Sequence, residues 1–322
     1  MTNEKLLVSP SPHLRCGDTT QKLMLDVIIA LIPAAIASVI LFGWRALLVL
    51  AVTVLSCVLS EYVCRKVMKR DNTIGDLSAV VTGILLAFNL PVSINLFMAA
   101  FGSIVAIVVV KQMFGGIGQN FVNPALTARI VLMTSFPTAM NTWTAPFAYT
   151  GASADAVTTA TPLAVLQGTA EGTLPSYLDL FLGLRGGCLG EVCAAALLLG
   201  GLYLVARRVI SPVIPLCYLG TVAVFALILG QDPLVHLLTG GLLLGAIFMA
   251  TDYTTSPLTF KGRIVFGIGC GILTVLIRQF GALPEGVSFS IIIMNILVPH
   301  IERLTRPRPF GEEGARREKA HS

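Results

Sequence analysis

Two stretches of the chain concentrate the residue types that do chemistry. The first is Gly151-Ala152-Ser153-Ala154-Asp155-Ala156-Val157-Thr158-Thr159-Ala160-Thr161-Pro162-Leu163, rich in hydroxyls around one carboxylate. Hydroxyls in such a stretch ordinarily solvate or close local turns, so composition alone gives no single threonine a special role. The second runs Phe114-Gly115-Gly116-Ile117-Gly118-Gln119-Asn120-Phe121-Val122-Asn123-Pro124-Ala125, with Arg129 just beyond it inside an apolar run. An arginine within a membrane span costs about 2.5–3.5 kcal/mol on insertion scales and is functional by default. Gly115, Gly116, Gly118, Asn120, Asn123 and Pro124 imply a broken backbone that reopens as a half-helix. Its free N–H groups would face an anionic or carbonyl ligand. Two readings stand side by side: a ligand pocket or ion or quinone path, and a set of caps on broken helices that pair with neighbouring subunits.

The elements that must hold these residues follow from composition. The chain has 322 residues, 55% of them apolar and only 12% charged, with a mean hydropathy of +0.83. A soluble domain carries roughly 25% charged residues, so too little polar surface is left here to coat a soluble globule. Apolar runs at 23–42, 44–64, 77–90, 95–110, 124–136, 189–205, 213–229, 234–251, 264–280 and 288–301 predict about ten transmembrane helices. The third, fifth and tenth are short for a full span, and Gly and Pro crowd their ends. Such breaks are tolerated in a bilayer only where backbone is buried in protein or lines a cavity. No cleavable signal peptide is expected, because the first 22 residues are polar.

Charge gives direction by the positive-inside rule. With the N-terminus in the cytoplasm, that side collects Lys5, Arg15, Lys22, Arg65, Lys66, Lys69, Arg70, Lys111, Arg207, Arg208, Lys261, Arg263 and the basic tail from Arg303 to Lys319. The outside receives only Arg45, Arg185 and Arg278. The net charge of +5 therefore marks topology rather than a nucleic-acid partner. Both termini are expected in the cytoplasm of a multi-pass protein of the cell (inner) membrane. Gly83-Ile84-Leu85-Leu86 is echoed by Gly241-Leu242-Leu243-Leu244, and Lys111-Gln112-Met113-Phe114-Gly115-Gly116 by Arg278-Gln279-Phe280-Gly281-Ala282. The expected fold is an all-α polytopic membrane protein built as two inverted five-helix repeats, with sites at the repeat interface. Its parts are a cytoplasmic segment 1–22, a first repeat 23–137, an outside loop 138–187, a second repeat 188–302 and a cytoplasmic tail 303–322.

Other polar residues have structural readings. Glu61 is expected to pair with Arg65 and Asp26 with Lys22, each at i±4. Asp76 suits a helix N-terminus. Asp252 either solvates a helix end or meets a cation entering from the cytoplasm. The seven cysteines and four histidines lack metal-ligand spacing, so no metal site is expected.

In its order of polar and Gly/Pro blocks the chain resembles the D subunits of Rnf complexes, ion-translocating ferredoxin:NAD oxidoreductases. These are related to the B subunits of sodium-translocating NADH:quinone reductases. The resemblance covers nearly the whole chain. It is carried by Ser9-Pro10-Ser11-Pro12-His13, by Leu86-Ala87-Phe88-Asn89-Leu90-Pro91, by the Phe114–Ala125 block above and by Ala250-Thr251-Asp252-Tyr253-Thr254-Thr255-Ser256-Pro257. It implies covalent FMN, its phosphate esterified to Thr161 by a separate flavin transferase on the outer face. Asp155, Thr158 and Ala160 match the attachment motif, and Thr159 replaces the family's usual glycine. It further implies room for riboflavin or a second, noncovalent flavin, for which Gly115, Gly116, Asn120, Asn123 and Arg129 are the candidates. The implied role is an electron relay coupled to Na+ or H+ transport, with no complete active site in this chain. The implied partners are the other membrane and peripheral subunits, including a second covalent-flavin subunit and iron–sulfur subunits. An inverted repeat also suits a solute channel or transporter without a redox role, and a scaffold subunit is a third class; the Asp155–Thr161 motif favours the redox reading over the channel.

Overall fold

The computed structural model describes residues 19–150, 161–166, 175–281 and 286–306. Among these the regular elements are all helical, without strands. The helices are α1 (Thr20–Phe42), α2 (Trp44–Val67), α3 (Ser78–Phe88), α4 (Leu96–Ile104), α5 (Pro124–Ser135), α6 (Pro137–Met140) and α7 (Pro162–Leu166). They continue as α8 (Tyr177–Leu182), α9 (Ala194–Ala206), α10 (Val213–Ile228), α11 (Pro233–Leu238), α12 (Leu242–Leu244), α13 (Phe260–Phe280) and α14 (Val287–Thr305). Two π-helical stretches extend this framework: Val105–Gln112 continues α4 and Gly245–Met249 continues α12.

Four helices, α1, α2, α13 and α14, are long and apolar enough to cross a membrane. The outer faces of α1 and α2 leave Ile32, Ile36, Ile40, Leu55 and Leu59 exposed. Water would penalise such a belt by about 25 cal/mol per Å² of apolar surface, whereas lipid does not. Shorter apolar helices, Ser78–Phe88, Leu96–Gln112, Ala194–Ala206 and Val213–Ile228, pack among them. At 1.5 Å per residue, an 11-residue α3 reaches about half of the ~30 Å hydrocarbon core. It must end inside the protein, and its last residues are fully buried.

Small residues set the helix contacts, as expected where lipid supplies no hydrophobic push between helices. Gly267 and Gly271 of α13 abut the α10 backbone at Ile214 and Tyr218, and Gly200 of α9 lies against the Ala30 carbonyl of α1. One buried core runs through both ends of the chain, from Ala30 to Ile301.

Two apolar runs differ from the expected helices. The run at 189–205 becomes helical only from Ala194, because Leu189 and Gly190 donate instead to the carbonyls of Leu90 and Phe88 at 3.0 Å. These bonds satisfy the open C-terminal end of α3. The run at 234–251 is broken at Thr239–Gly241 into α11 and α12, with Gly240 at φ +64°. Pro233 opens α11, where its missing N–H costs nothing.

Candidate functional site

The break after the π-helix forms as the glycines require. Gly115, Gly116 and Gly118 take positive φ of 126°, 108° and 83°, which only glycine adopts freely. Asn123 then caps α5: its Oδ1 accepts from Ala125 N at 3.1 Å and Leu126 N at 3.3 Å, and Pro124 fills the first position. The Asn123 amide donates to the Met249 carbonyl at 3.3 Å, so the start of α5 is tied to the end of the second π-helix. Asn120 donates to Val122 O at 3.2 Å.

A cavity of about 370 Å³ opens beside this junction. Leu23, Met24, Val27, Val81, Leu85 and Phe248 give it apolar walls. Its polar groups come from Ser78, Lys111, Asn120, Asn123, Asp252 and Thr254. That is the constitution of a small-molecule site, apolar with a few placed polar groups. Lys111, 3% exposed, is held by Glu61 Oε2 at 2.9 Å and donates to Ser78 Oγ at 2.6 Å. The other carboxylate oxygen of Glu61 accepts from Gln112 Nε2 at 2.9 Å and Thr73 Oγ1 at 2.7 Å. Glu61 therefore pairs across segments with Lys111, and the expected Arg65 pairing is replaced. Arg65 lies against Gly116 instead. Likewise Asp26 is bound by Arg207 at 3.3 Å and Tyr203 at 2.8 Å, reaching across from α1 to α9 and its C-terminal end. The Asp252 carboxylate accepts from the Thr254 and Thr255 hydroxyls of its own turn.

A second polar cluster lies at the other end of α5. Arg129 donates to Asn89 Oδ1 at 2.5 Å and contacts Cys188 Sγ at 3.5 Å. Cys188 N donates to Glu191 Oε1 at 3.3 Å. Arg185 Nη2 donates to the carbonyls of Glu191 and Leu238 at 3.2 and 2.8 Å. Arg278, at the end of α13, donates to His236 O at 2.9 Å and Thr239 O at 3.0 Å. All three arginines and Glu191 are at most 5% exposed. Arg278 reaches Gly240, and Glu191 and Arg129 reach Gly241. A Cβ on Gly240 would stand 2.7 Å from Leu163 and 2.9 Å from Arg278 Nη2. One on Gly241 would stand 3.1 Å from Glu191 Oε2 and 3.5 Å from Arg129 Nη1. Above them, Thr161 is buried immediately before α7. A cavity of about 220 Å³ is lined by Leu163, Leu166, Gln231, His236, Arg278 and Gln279. Outside the cluster, Tyr177 hydrogen-bonds Asp232, and this holds the Asp232 carboxyl below its ordinary range.

A sequence model of the NQR2, RnfD, RnfE family matches residues 7–311. The chain belongs to this family. It is 52% identical, over 97% of both chains, to the D subunit of the Na(+)-translocating ferredoxin:NAD(+) oxidoreductase complex of Acetobacterium woodii. It is 44% identical, over 94% of this chain and 96% of the relative, to the D subunit of the proton-translocating ferredoxin:NAD(+) oxidoreductase complex of Clostridium ljungdahlii. The D subunit of the ion-translocating oxidoreductase complex of Escherichia coli (strain K12 / DH10B) is 33% identical, over 94% of this chain and 98% of the relative.

In this NQR2, RnfD, RnfE family member, Asn120 and Asn123 share the larger cavity, whereas Gly115 and Gly116 shape the turn leading into it. Arg129 points away, into the second cluster. Thr161 itself does not line the smaller cavity, although Leu163, two residues on, does, and Asp155, Thr158 and Ala160 lie outside the described residues. Sequence reasoning gave no site role to Lys111, Glu191, Arg185 or Arg278: it used the three cations as markers of membrane side, and Lys111 and Arg278 also as part of the repeat echo. A signal was present for Lys111. It ends an uninterrupted apolar run, so a partner for its charge had to come from another segment.

Proposed function

We propose that this chain is the membrane-embedded D subunit of an ion-translocating ferredoxin:NAD+ oxidoreductase complex, coupling electron transfer to movement of Na+ or H+ across the cell membrane. The observation that carries the reading is full-length similarity to subunits so named. Its partners are then the other Rnf subunits, among them iron–sulfur subunits and a second covalent-flavin subunit.

The fold is ten membrane segments in two inverted halves, α1 to α5 and α9 to α14. In support, α1 packs on α9, the opening helices of the two halves, and α5 packs on α14, the closing ones. Lys111 and Arg278 match in the same way: each is a buried cation ending the fourth segment of its half and donating to the third, Lys111 to Ser78 at the start of α3 and Arg278 to the His236 and Thr239 carbonyls at the end of α11. Both termini face the cytoplasm and the loop bearing Thr161 faces outside.

Thr161 carries FMN through its phosphate, placed by a flavin transferase, and when bound this group supplies one-electron transfer. The residues near Thr161 fit the phosphate end of such a group. The cavity lined by Leu163, two residues further on, has the Arg278 guanidinium in its wall, and at about 220 Å³ it is smaller than the ~300–1,000 Å³ of whole-ligand pockets. It suits a phosphate and part of a polyol chain, leaving the ring system outside. The larger cavity, with Asn120 and Asn123 at its polar end, suits a noncovalent flavin such as riboflavin. The test is the mass of the peptide spanning Thr161, from protein expressed with its transferase. FMN less one water should be present, and absent in Thr161→Ala. An unmodified threonine beside an active transferase refutes the covalent assignment.

A further inference from the structure

The turn that ends α9 places a charged residue in an unfavourable conformation. Arg208 stands at φ +58°, in the left-handed region that favours glycine. Its backbone bonds are those of an ordinary helix end: Arg208 N donates to Val205 O at 3.0 Å and Val209 N to Leu204 O at 2.9 Å. Glycine would make the same turn with less strain, so the turn does not account for the guanidinium. Arg208 instead lines a cavity of about 390 Å³ with Arg263 of α13, Ser211 and Ser256. Arg263 Nε donates to Pro257 O at 3.2 Å, and neither arginine has an ion pair among the described residues. No carboxylate lines this cavity among them. Of the acids on neighbouring elements, Asp26 is bound by Arg207, Asp252 accepts from Thr254 and Thr255, and Glu302 accepts from Leu258 N.

The apolar surface around the cavity identifies the anion that fits. On α9, Leu202 and Leu198 stand three and seven residues before the lining residue Val205, on one face, and both are exposed. On α10, exposed Leu216 and Leu227 continue the side marked by Pro212 at the cavity. Two lipid-facing stripes therefore lead to one cationic cavity at the ends of their helices. A free anion uses the cavity alone, whereas a phospholipid uses cavity and stripes together. We infer that Arg208 and Arg263 form the headgroup seat of an anionic phospholipid, with its acyl chains along α9 and α10. Guanidinium groups suit a phosphate, which accepts several N–H donors at once, and Ser211 and Ser256 add hydroxyls to the same wall. Ile210, Thr251 and Tyr253 line both this cavity and the larger one, so the lipid lies against the far side of the larger cavity's wall.

The experiment measures lipid binding to the full chain, delipidated in neutral detergent, by native mass spectrometry and by melting temperature. Ionic strength is held constant, because salt screens such charges. The probes are phosphatidylglycerol, phosphatidylcholine and inorganic phosphate. Wild type should bind phosphatidylglycerol roughly tenfold or more tightly than phosphatidylcholine, a difference of the size two charge-assisted phosphate contacts supply, and inorganic phosphate at equal concentration should not displace it. Arg208→Gly should lose most of this preference while melting in phosphatidylcholine no earlier than wild type, because glycine relieves the turn. Arg263→Gln should weaken binding in the same direction; if it does not accumulate, Arg208→Gly decides alone. Lys261→Gln, which removes an exposed cation outside the cavity, should leave the preference unchanged. Equal binding of the two lipids by wild type overturns the inference, as does an Arg208→Gly protein with the wild-type preference. A loss in Lys261→Gln equal to that in Arg208→Gly would reduce the effect to a diffuse basic surface, and displacement by inorganic phosphate would make the ligand a free anion; either result overturns the lipid seat.

Discussion

The Lys111–Glu61 pair allows a quantitative test of the interior. The two charged groups stand 2.9 Å apart, with side chains 4% and 0% exposed. At an effective dielectric of about 20, charges at that separation attract by about 6 kcal/mol. Desolvation of both ions consumes much of this, so the pair is close to neutral as a unit. Breaking it is a different matter. Glu61→Gln strands the Lys111 ammonium with Ser78 Oγ as its remaining hydrogen-bond partner. Lys111→Met strands the carboxylate with Gln112 and Thr73. Each single substitution should cost about 3–5 kcal/mol, the usual penalty for an uncompensated buried charge. The double substitution should cost far less than the sum, because no orphan charge remains. The assay is a double-mutant cycle from reversible denaturant unfolding in mixed micelles, with the coupling energy as readout. Additive single effects, or single effects below about 1 kcal/mol as at a solvated surface pair, would refute the reasoning.

Asn123→Ala should remove the α5 cap at a cost of about 0.5–2 kcal/mol and lower the content of the noncovalent flavin proposed for the larger cavity, scored by chromatography of the denatured protein. Asn123→Ser, which keeps a cap acceptor but lacks the amide that donates to Met249 O, should recover the cap's share of the stability. Gly200→Ala drives a Cβ to 2.1 Å from the Ala30 carbonyl, and should cost about 1–3 kcal/mol as α1 and α9 separate; a melting temperature equal to wild type would contradict the close contact. Asp232 is held below the ordinary carboxylate range by Tyr177. Its tie to α8 is therefore present above the ordinary carboxylate pKa and lost as pH falls through the depressed one. Proteolysis around residues 175–183 should rise on acidification through that window, and Asp232→Asn should abolish the pH dependence.

Local signals carried most of the fold in the sequence. Apolar runs placed α1, α2, α10, α13 and α14 to within a few residues, because each run is a single helix, α1 and α13 opening on an ordinary cap, Thr19 and Thr259. The break before α5 was equally readable, since Gly115, Gly116, Gly118, Asn123 and Pro124 each have a definite backbone preference. Hydrophobicity misled where an apolar segment was not helical. Residues 189–193 open an apolar run, yet the N–H groups of Leu189 and Gly190 are used to close the end of α3. The need for that closure arises from residues some hundred positions earlier, which no local window contains.

The polar residues show the same limit more sharply. An i+4 rule gave Glu61 to Arg65, but a buried carboxylate selects the partner that can also be buried, and Lys111 is 50 residues away. Counting Arg185 and Arg278 as outside charges treated them as solvated, whereas both donate to backbone carbonyls at the ends of broken helices. The two facts have one cause. Broken helices leave carbonyls open in a place water does not reach, and arginine, with five donors in a rigid fork, can satisfy several at once. Each such arginine also imports a charge. Lys111 meets the same need from the opposite side: its buried charge is answered by Glu61 of another segment at 2.9 Å, so in both cases the partner is chosen by what is buried beside it in space and not by what stands four residues away in the chain.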